Sequence, residues 1–247
     1  MIKFFRKIRQ NLLSEGKTRK YLKYAIGEII LVVIGILIAL SINNWNEDQK
    51  SEAKKQDYYV QLLDDLNSDI ISAQNTIEEF SNHQKEYNDY ISSYKNEILT
   101  PVKAYGDISK LSLISTPPIF NTNTIEALQN SGDIGLIPSS IRNKLMNLGR
   151  LQNLTIQRFE VTDTGQRGIT QKLSSLLGAT TLPKRLENQP EMKEFLNIDE
   201  NLRELILVYE GIHRWKSVSQ LETIDRLEKM QKEIDTIITL IKKELKK

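Results

Sequence analysis

The chain has 247 residues, 39% of them hydrophobic and 27% charged, a balance that excludes a disordered or collagen-like polymer and supplies enough apolar side chain for a packed core. It contains no cysteine and only two histidines, which excludes disulfides, thiolate metal sites and a lipid-carrying cysteine. The net charge of +2 conceals two opposed regions: residues 1 to 24 carry eight basic side chains against Glu15 alone, net +7, while the rest carries 26 basic and 31 acidic residues, net −5.

The head, residues 1–24, interleaves Phe4, Phe5, Ile8, Leu12 and Leu13 with Lys3, Arg6, Lys7 and Arg9, the pattern of a short basic amphipathic helix lying on anionic lipid. Its charge belongs to an anchor and does not indicate nucleic-acid binding. Ala25 to Ile42 follow with Glu28 as their one charge, and at about 1.5 Å per residue they span roughly 27 Å, close to the hydrocarbon thickness of a bilayer. Tyr21 and Tyr24 stand at one end and Trp45 at the other, where amphipathic rings favour the headgroup layer. Residues 25–43 are therefore expected to be a transmembrane helix, with the basic head cytoplasmic and residues 46–247 outside. A cleaved signal peptide is the alternative, since Ala39-Leu40-Ser41 fits a small-x-small cleavage site; either way the large domain is exported. Gly27, Gly35 and Ala39 share a helix face, and Gly35-x-x-x-Ala39 permits close helix approach. Together with Glu28, an ionisable residue near the cytoplasmic end, they are the candidate transmembrane contacts.

Residues 44–100 predict a long helical stalk. Leu63, Ile70, Ile77, Gln84, Ile91 and Ile98 form one heptad series and Tyr59, Leu66, Ala73, Phe80, Tyr87 and Tyr94 the other. Pro101 is expected to end it, with Gly106 and Thr116-Pro117-Pro118 marking an irregular connection and Asp107 to Ile114 giving a short strand-like alternation. A helix capped by the side chain of Asn123 closes at Gly132, and Pro138-Ser139-Ser140 opens another with Ile141, Leu145, Leu148, Leu151 and Leu154 inward. Gly165 to Pro190 is weakly patterned. Residues 101–190 thus read as a helical cap region with loops, and 191–247 as a long C-terminal helix packing on the stalk and returning towards the bilayer. Its stripe passes through Leu205, Val208, Ile212 and Trp215, shifts phase near Ser217 and resumes at Leu227, Met230, Ile234, Ile237 and Ile241. The expected fold is all-α, a single transmembrane helix followed by a bundle with a long antiparallel, coiled-coil-like helix pair.

Chemistry-bearing motifs are sparse. His213 lies near Glu210, and His83 lies between Glu79 and Glu86 at helical spacing, but no H-E-x-x-H or comparable ligand set occurs, so both histidines read as structural. Ser131 to Gly135 is glycine-rich without a P-loop ending, which makes it a helix end and turn. Tyr87, Tyr90 and Tyr94 share a face that core packing explains. No catalytic, cofactor-binding or metal site is expected, and the cofactor expectation is none.

The opening, with its FFRKIR head, its YLKYAIGEIILVVIGILIAL span and its NNWN exit, resembles an uncharacterised family of single-pass membrane proteins of Bacteroidota. TIEALQNSGDIGLI, residues 124–137, is similar to a second pattern of that family, with Ile125 where an aromatic is usual. The resemblance implies a bacterial inner-membrane protein with a helical periplasmic domain and carries no activity with it. The functional expectation is a non-enzymatic interaction or scaffold module of the cell envelope whose partners are the lipid bilayer, a second copy in a homodimer, or other envelope proteins. The alternatives are a small-ligand sensor with a pocket near the Asn123 to Leu154 helices, signalling through a membrane partner, and an envelope hydrolase.

Overall fold

A computed structural model describes residues 18–179, 181–196 and 201–246. The expected interfacial helix through Phe4, Phe5, Ile8, Leu12 and Leu13 lies outside that range. The described residues form helices α1 (Thr18–Asn96), α2 (Pro101–Ile108), α3 (Asn123–Asn130), a 3-10 turn (Asp133–Leu136), α4 (Ser139–Leu177), α5 (Leu182–Leu186), α6 (Pro190–Leu196) and α7 (Leu202–Glu244). No strand occurs among them, so the all-α expectation holds and the alternation from Asp107 to Ile114 makes no sheet.

Two compact units divide the chain, residues 1–57 and 58–247. In the first, α1 is apolar on every side from Ala25 to Ile42 apart from Glu28. The large aliphatic side chains from Ile26 to Ile42 are 47–63% exposed, and an all-round apolar surface without protein cover is what a helix presents to lipid rather than to water. Within the described residues, α1 is the one helix apolar and long enough to cross a membrane.

The second unit is built on three long helical segments. Asp69 meets Gln152 and Phe80 stacks on Phe159, so α4 runs parallel to the stalk part of α1. Lys144 pairs with Glu233, Thr162 with Ser219 and Lys172 with Glu204, so α7 runs antiparallel to α4. It is antiparallel to α1 as well, because Gln84 meets Gln220 and Tyr90 meets Glu210. The expected antiparallel pair is therefore present, but residues 101–190 do not form a cap on it. Their longest helix, the 39-residue α4, is the third member of the bundle. Gly165 and Gly168 each weaken a helix by about 1 kcal/mol, which is why this stretch reads as weakly patterned, yet packing against α7 keeps α4 helical to Leu177.

A third helix also changes which faces are buried. On α1 the buried positions are Tyr59, Leu62, Leu66, Asp69, Ala73, Thr76, Phe80 and Tyr90. The series starting at Tyr59 lies inside as far as Phe80, but its companion runs through Leu62, Asp69 and Thr76, one residue before the expected Leu63, Ile70 and Ile77, which are only half-buried. Ile91 is 41% and Ile98 fully exposed. On α4, Ile141, Leu145 and Leu148 are buried as expected, after which the face continues through Gln152, Thr155 and Phe159 and leaves Leu154 outside. Apolar residues alone point to the wrong stripe here because polar ones occupy its centre.

Local chemistry sets the ends. Pro101 does not close a helix but opens α2, where its missing N–H costs nothing and Thr100 caps the amide of Lys103. The N-terminus of α3 is not capped by Asn123. Instead Asp65 of α1 accepts from the amide of Thr124 at 3.2 Å, while Thr122 donates to Glu126 at 2.6 Å. Gly132 follows α3 at φ 78°, a left-handed conformation that side chains disfavour. Nothing stands within 4 Å of where its Cβ would be, so the penalty for Gly132→Ala is conformational alone. It is expected to lower stability by about 1–2 kcal/mol, read as an earlier thermal midpoint by circular dichroism.

Candidate functional site

Two apolar clusters fill the second unit. One is centred on Leu62, Leu145, Leu227 and Ile234, the other on Tyr90, Ile108, Leu205 and Ile212. Between them the interior turns polar. On α7 the stripe runs on from Ile212 through Lys216, Ser219, Gln220 and Thr223 to Leu227 without any change of phase, at the spacing of one helix face. The phase shift expected near Ser217 is this polar layer, and Trp215, expected inward, is 45% exposed.

The layer holds the connection between α2 and α3 in place. Lys216, 4% exposed, donates from Nζ to the carbonyl of Ser112 at 2.5 Å. Gln166 of α4 donates to the carbonyl of Leu113 at 2.6 Å and Gln220 to Ser115 Oγ at 3.0 Å. An irregular segment that covers a core must find partners for its backbone: side chains of α4 and α7 supply them at Ser112 and Leu113, and Glu79, Ser72 and Asp69 of α1 accept from the amides of Thr116, Ile119 and Asn121. Gln84, the polar member of the expected stalk seam, is placed for the same layer. It donates to Gln220 Oε1 at 2.9 Å and accepts from Ser217 Oγ at 2.7 Å.

Both histidines enter this layer, from different helices, and His213 does not pair with Glu210. His213 is 3% exposed and stacks on Tyr87 with ring centroids 5.3 Å apart. Glu210 accepts instead from Tyr87 at 3.2 Å and Tyr90 at 3.0 Å, and the Tyr94 hydroxyl lies 2.7 Å from that of Tyr90. His83 Nδ1 lies 3.0 Å from the Gln220 amide.

Burial dominates the electrostatics. It pushes the His213 imidazole down to about 4, helped by the nearby Lys216 charge and opposed by a hydrogen bond with the backbone of Ile108. It lowers Lys216 to about 8 against the pull of Glu79 and Glu86, and it lowers His83 as well, again with help from Lys216. Tyr87 rises to about 12, first by burial and then through Glu210. A small gap of about 10 Å³, room for about one water molecule, lies beside these groups, between α1, α7 and the residues Leu111 and Ser112. Among the described residues no three His, Asp or Glu side chains stand together as a metal-holding group.

The other expected positions lie elsewhere. Gly27, Gly35 and Ala39 are exposed along α1, Glu28 is half-covered, and nothing stands within 4 Å of where a Cβ would sit on either glycine. Residues 124–137 do structural work. Ile125, Leu128 and Ile137 are buried, Ser131 Oγ donates to the carbonyl of Leu128, and Asp133 accepts from the Tyr58 hydroxyl at 2.8 Å. Beside them, a wider groove of about 560 Å³ runs between α3 and α4, with Ile125 and Leu145 on its floor and Met146 and Arg150 among its walls.

No curated protein and no solved structure matches the chain. Residues 28–183, more than half of its length and including both the apolar segment from Glu28 and the motif at 124–137, match DUF6090, a family of unknown function, and the chain therefore belongs to that family.

Proposed function

We propose that the protein is a membrane-anchored, non-enzymatic helical interaction module of a bacterial cell envelope, with the head in the cytoplasm, α1 crossing the inner membrane and residues 46–247 in the periplasm. The observation that carries this reading is the aliphatic surface of α1 from Ile26 to Ile42, exposed on all sides and preceded by a head of net charge +7, the arrangement that holds a head inside. The proposed partners are the lipid bilayer, a second copy meeting it along Gly35 and Ala39, and other envelope proteins. The module reading is supported by how the polar groups of residues 124–137 are spent, on helix ends and turns that bind Asp65 and Tyr58. Alkaline phosphatase fused after Lys247 is expected to be active and a cytoplasmic reporter at the same place silent; the reverse pattern overturns the orientation. Full-length protein that stays in the membrane with residues 1–24 attached distinguishes an anchor from a cleaved signal.

The groove between α3 and α4 favours a second reading, a small-ligand sensor whose pocket lies where the Asn123 to Leu154 helices meet. Its apolar floor with a few polar groups at the rim is the usual composition of a ligand cleft.

A further inference from the structure

A second apolar stripe runs along α7 beside the buried one. Leu207, Gly211, Trp215 and Val218 follow at spacings of four, four and three residues, the period of one helix face. α4 supplies the other side of a seam, since the Trp215 ring lies 3.8 Å from where a Cβ on Gly165 would sit, and Ile169 stands equally far from a Cβ on Gly211. Val161 of α4, Leu207 and Val218 keep 46–68% of their surface exposed. At one end the seam widens into a groove of about 650 Å³ lined by Ile169, Leu207 and Gly211 together with Lys172 and Arg203. The bundle has no need of the missing side chains at the seam's glycines. A Cβ would make ordinary contacts at Gly165 and Gly211 and none within 4 Å at Gly168. Glycine is unfavourable inside a helix, and its use lets another backbone come close. From Leu207 to Val218 the seam is about 16 Å long, three turns of a helix laid along it.

The charge around the seam is unbalanced towards positive. Arg203 and Arg214 stand on α7 and Arg158 on α4, all exposed, and none of the three is in an ion pair among the described residues. The carboxylates beside them are already matched: Glu204 by Lys172 at 2.7 Å, Glu222 by Arg226 at 2.9 Å and Asp225 by Lys229 at 2.6 Å. Glu210, one turn before Arg214, accepts from Tyr87 and Tyr90. We propose that the seam between α4 and α7 is the docking site for an amphipathic helix of a partner protein, apolar on one face and acidic along its edges. Val161, Leu207, Trp215 and Val218 cover the apolar face, as in other helix-in-groove complexes, and the three arginines meet the carboxylates. The proposal rests on the interaction-module reading and names the chemistry of its partner. The two fail separately, because the reporter fusions test where the domain lies and the experiment below tests the seam.

The full chain in nanodiscs of uncharged phosphatidylcholine is titrated with three helical peptides of about 18 residues, long enough to hold a helix. One has a leucine face with glutamate edges, the second has lysine edges, and the third keeps glutamate but replaces leucine by serine. Trp45→Phe leaves Trp215 as the one tryptophan, so its emission reports the seam alone. The leucine–glutamate peptide is expected to shift that emission saturably to shorter wavelength and to bind at least tenfold more tightly than either control. Arg203→Glu with Arg214→Glu is expected to weaken it at least tenfold. Gly168→Leu, which fills open space on the seam, is expected to weaken it as much while the bundle melts no earlier, an effect that a purely structural glycine would not give. The proposal is overturned if no peptide moves the emission, or if the lysine peptide binds as tightly as the glutamate one. It is also overturned if the emission shifts with protein concentration alone, which means a second copy covers the face.

Discussion

Leu62→Ala should destabilise the bundle by about 2–5 kcal/mol, the range for deleting a fully buried leucine side chain, whereas the neighbouring Leu63→Ala should cost less than half as much. Leu62 is 0% exposed in the cluster that includes Leu66, Leu145 and Ile234. Leu63 packs against the edge of the same cluster and is only partly buried, so its removal opens a space that water can fill and leaves a smaller cavity term. The pair decides the register of the stalk, because a simple heptad seam through Leu63, Ile70 and Ile77 requires the opposite ranking. Thermal or denaturant unfolding of the full-length protein in detergent, with circular dichroism as the readout, gives both values. Equal losses, or a larger loss for Leu63→Ala, would show that α1 is rotated about its axis relative to the arrangement described.

Why the seam was legible only in part follows from the same residues. Tyr59, Leu66, Ala73 and Phe80 are apolar and buried, so one heptad series can be read directly from the sequence. Its companion has Asp69 and Thr76 at buried positions, and a search for apolar side chains passes them by in favour of the adjacent Ile70 and Ile77. Lys216, Ser219, Gln220 and Thr223 mislead in the same way on α7, where a continuous buried stripe reads as a change of phase. The signal was present in the spacing, since Ile212, Lys216, Ser219, Thr223 and Leu227 keep the helical period. Residue type hid it. The polar layer could not be derived without knowing that a third helix and the connection between α2 and α3 supply its partners. By contrast, the apolar surface of α1 needs no tertiary information, and its extent from Ala25 to Ile42 is plain in the sequence.

Asp69 is where this buried polarity has its largest expected effect, and Asp69→Ala should be clearly less stable than Asp69→Asn at every pH. The carboxylate is 1% exposed and accepts from the amide of Asn121 at 2.7 Å and from Gln152 Nε2 at 2.6 Å. It thereby ties α1 to α4 and to the chain entering α3. Removing it leaves two buried donors without an acceptor, at about 1–3 kcal/mol each, so Asp69→Ala should lose about 2–6 kcal/mol near pH 4 and less than that above pH 6, where the parent itself carries the buried charge. The charge itself is a burden. Burial raises the carboxyl from 3.8 to about 6, the two hydrogen bonds oppose that rise, and the Asp65 charge adds to it. Since the folded-state value lies above the unfolded one, the protonated form is favoured by folding, and its contribution is complete below pH 3.8 and lost as pH rises through about 6. At about 1.4 kcal/mol per pH unit the loss reaches at most about 3 kcal/mol. An asparagine side chain can still accept from Asn121, and its amide can donate to Gln152 Oε1, which is buried without a partner, once the Gln152 amide turns over. Asp69→Asn should therefore match the parent near pH 4 and exceed it above pH 6, so that the difference between their unfolding free energies grows across that window. If Asp69→Asn is instead as destabilised as Asp69→Ala at pH 7, the ionised carboxylate is a net stabiliser of the bundle and the raised value assigned to it is wrong.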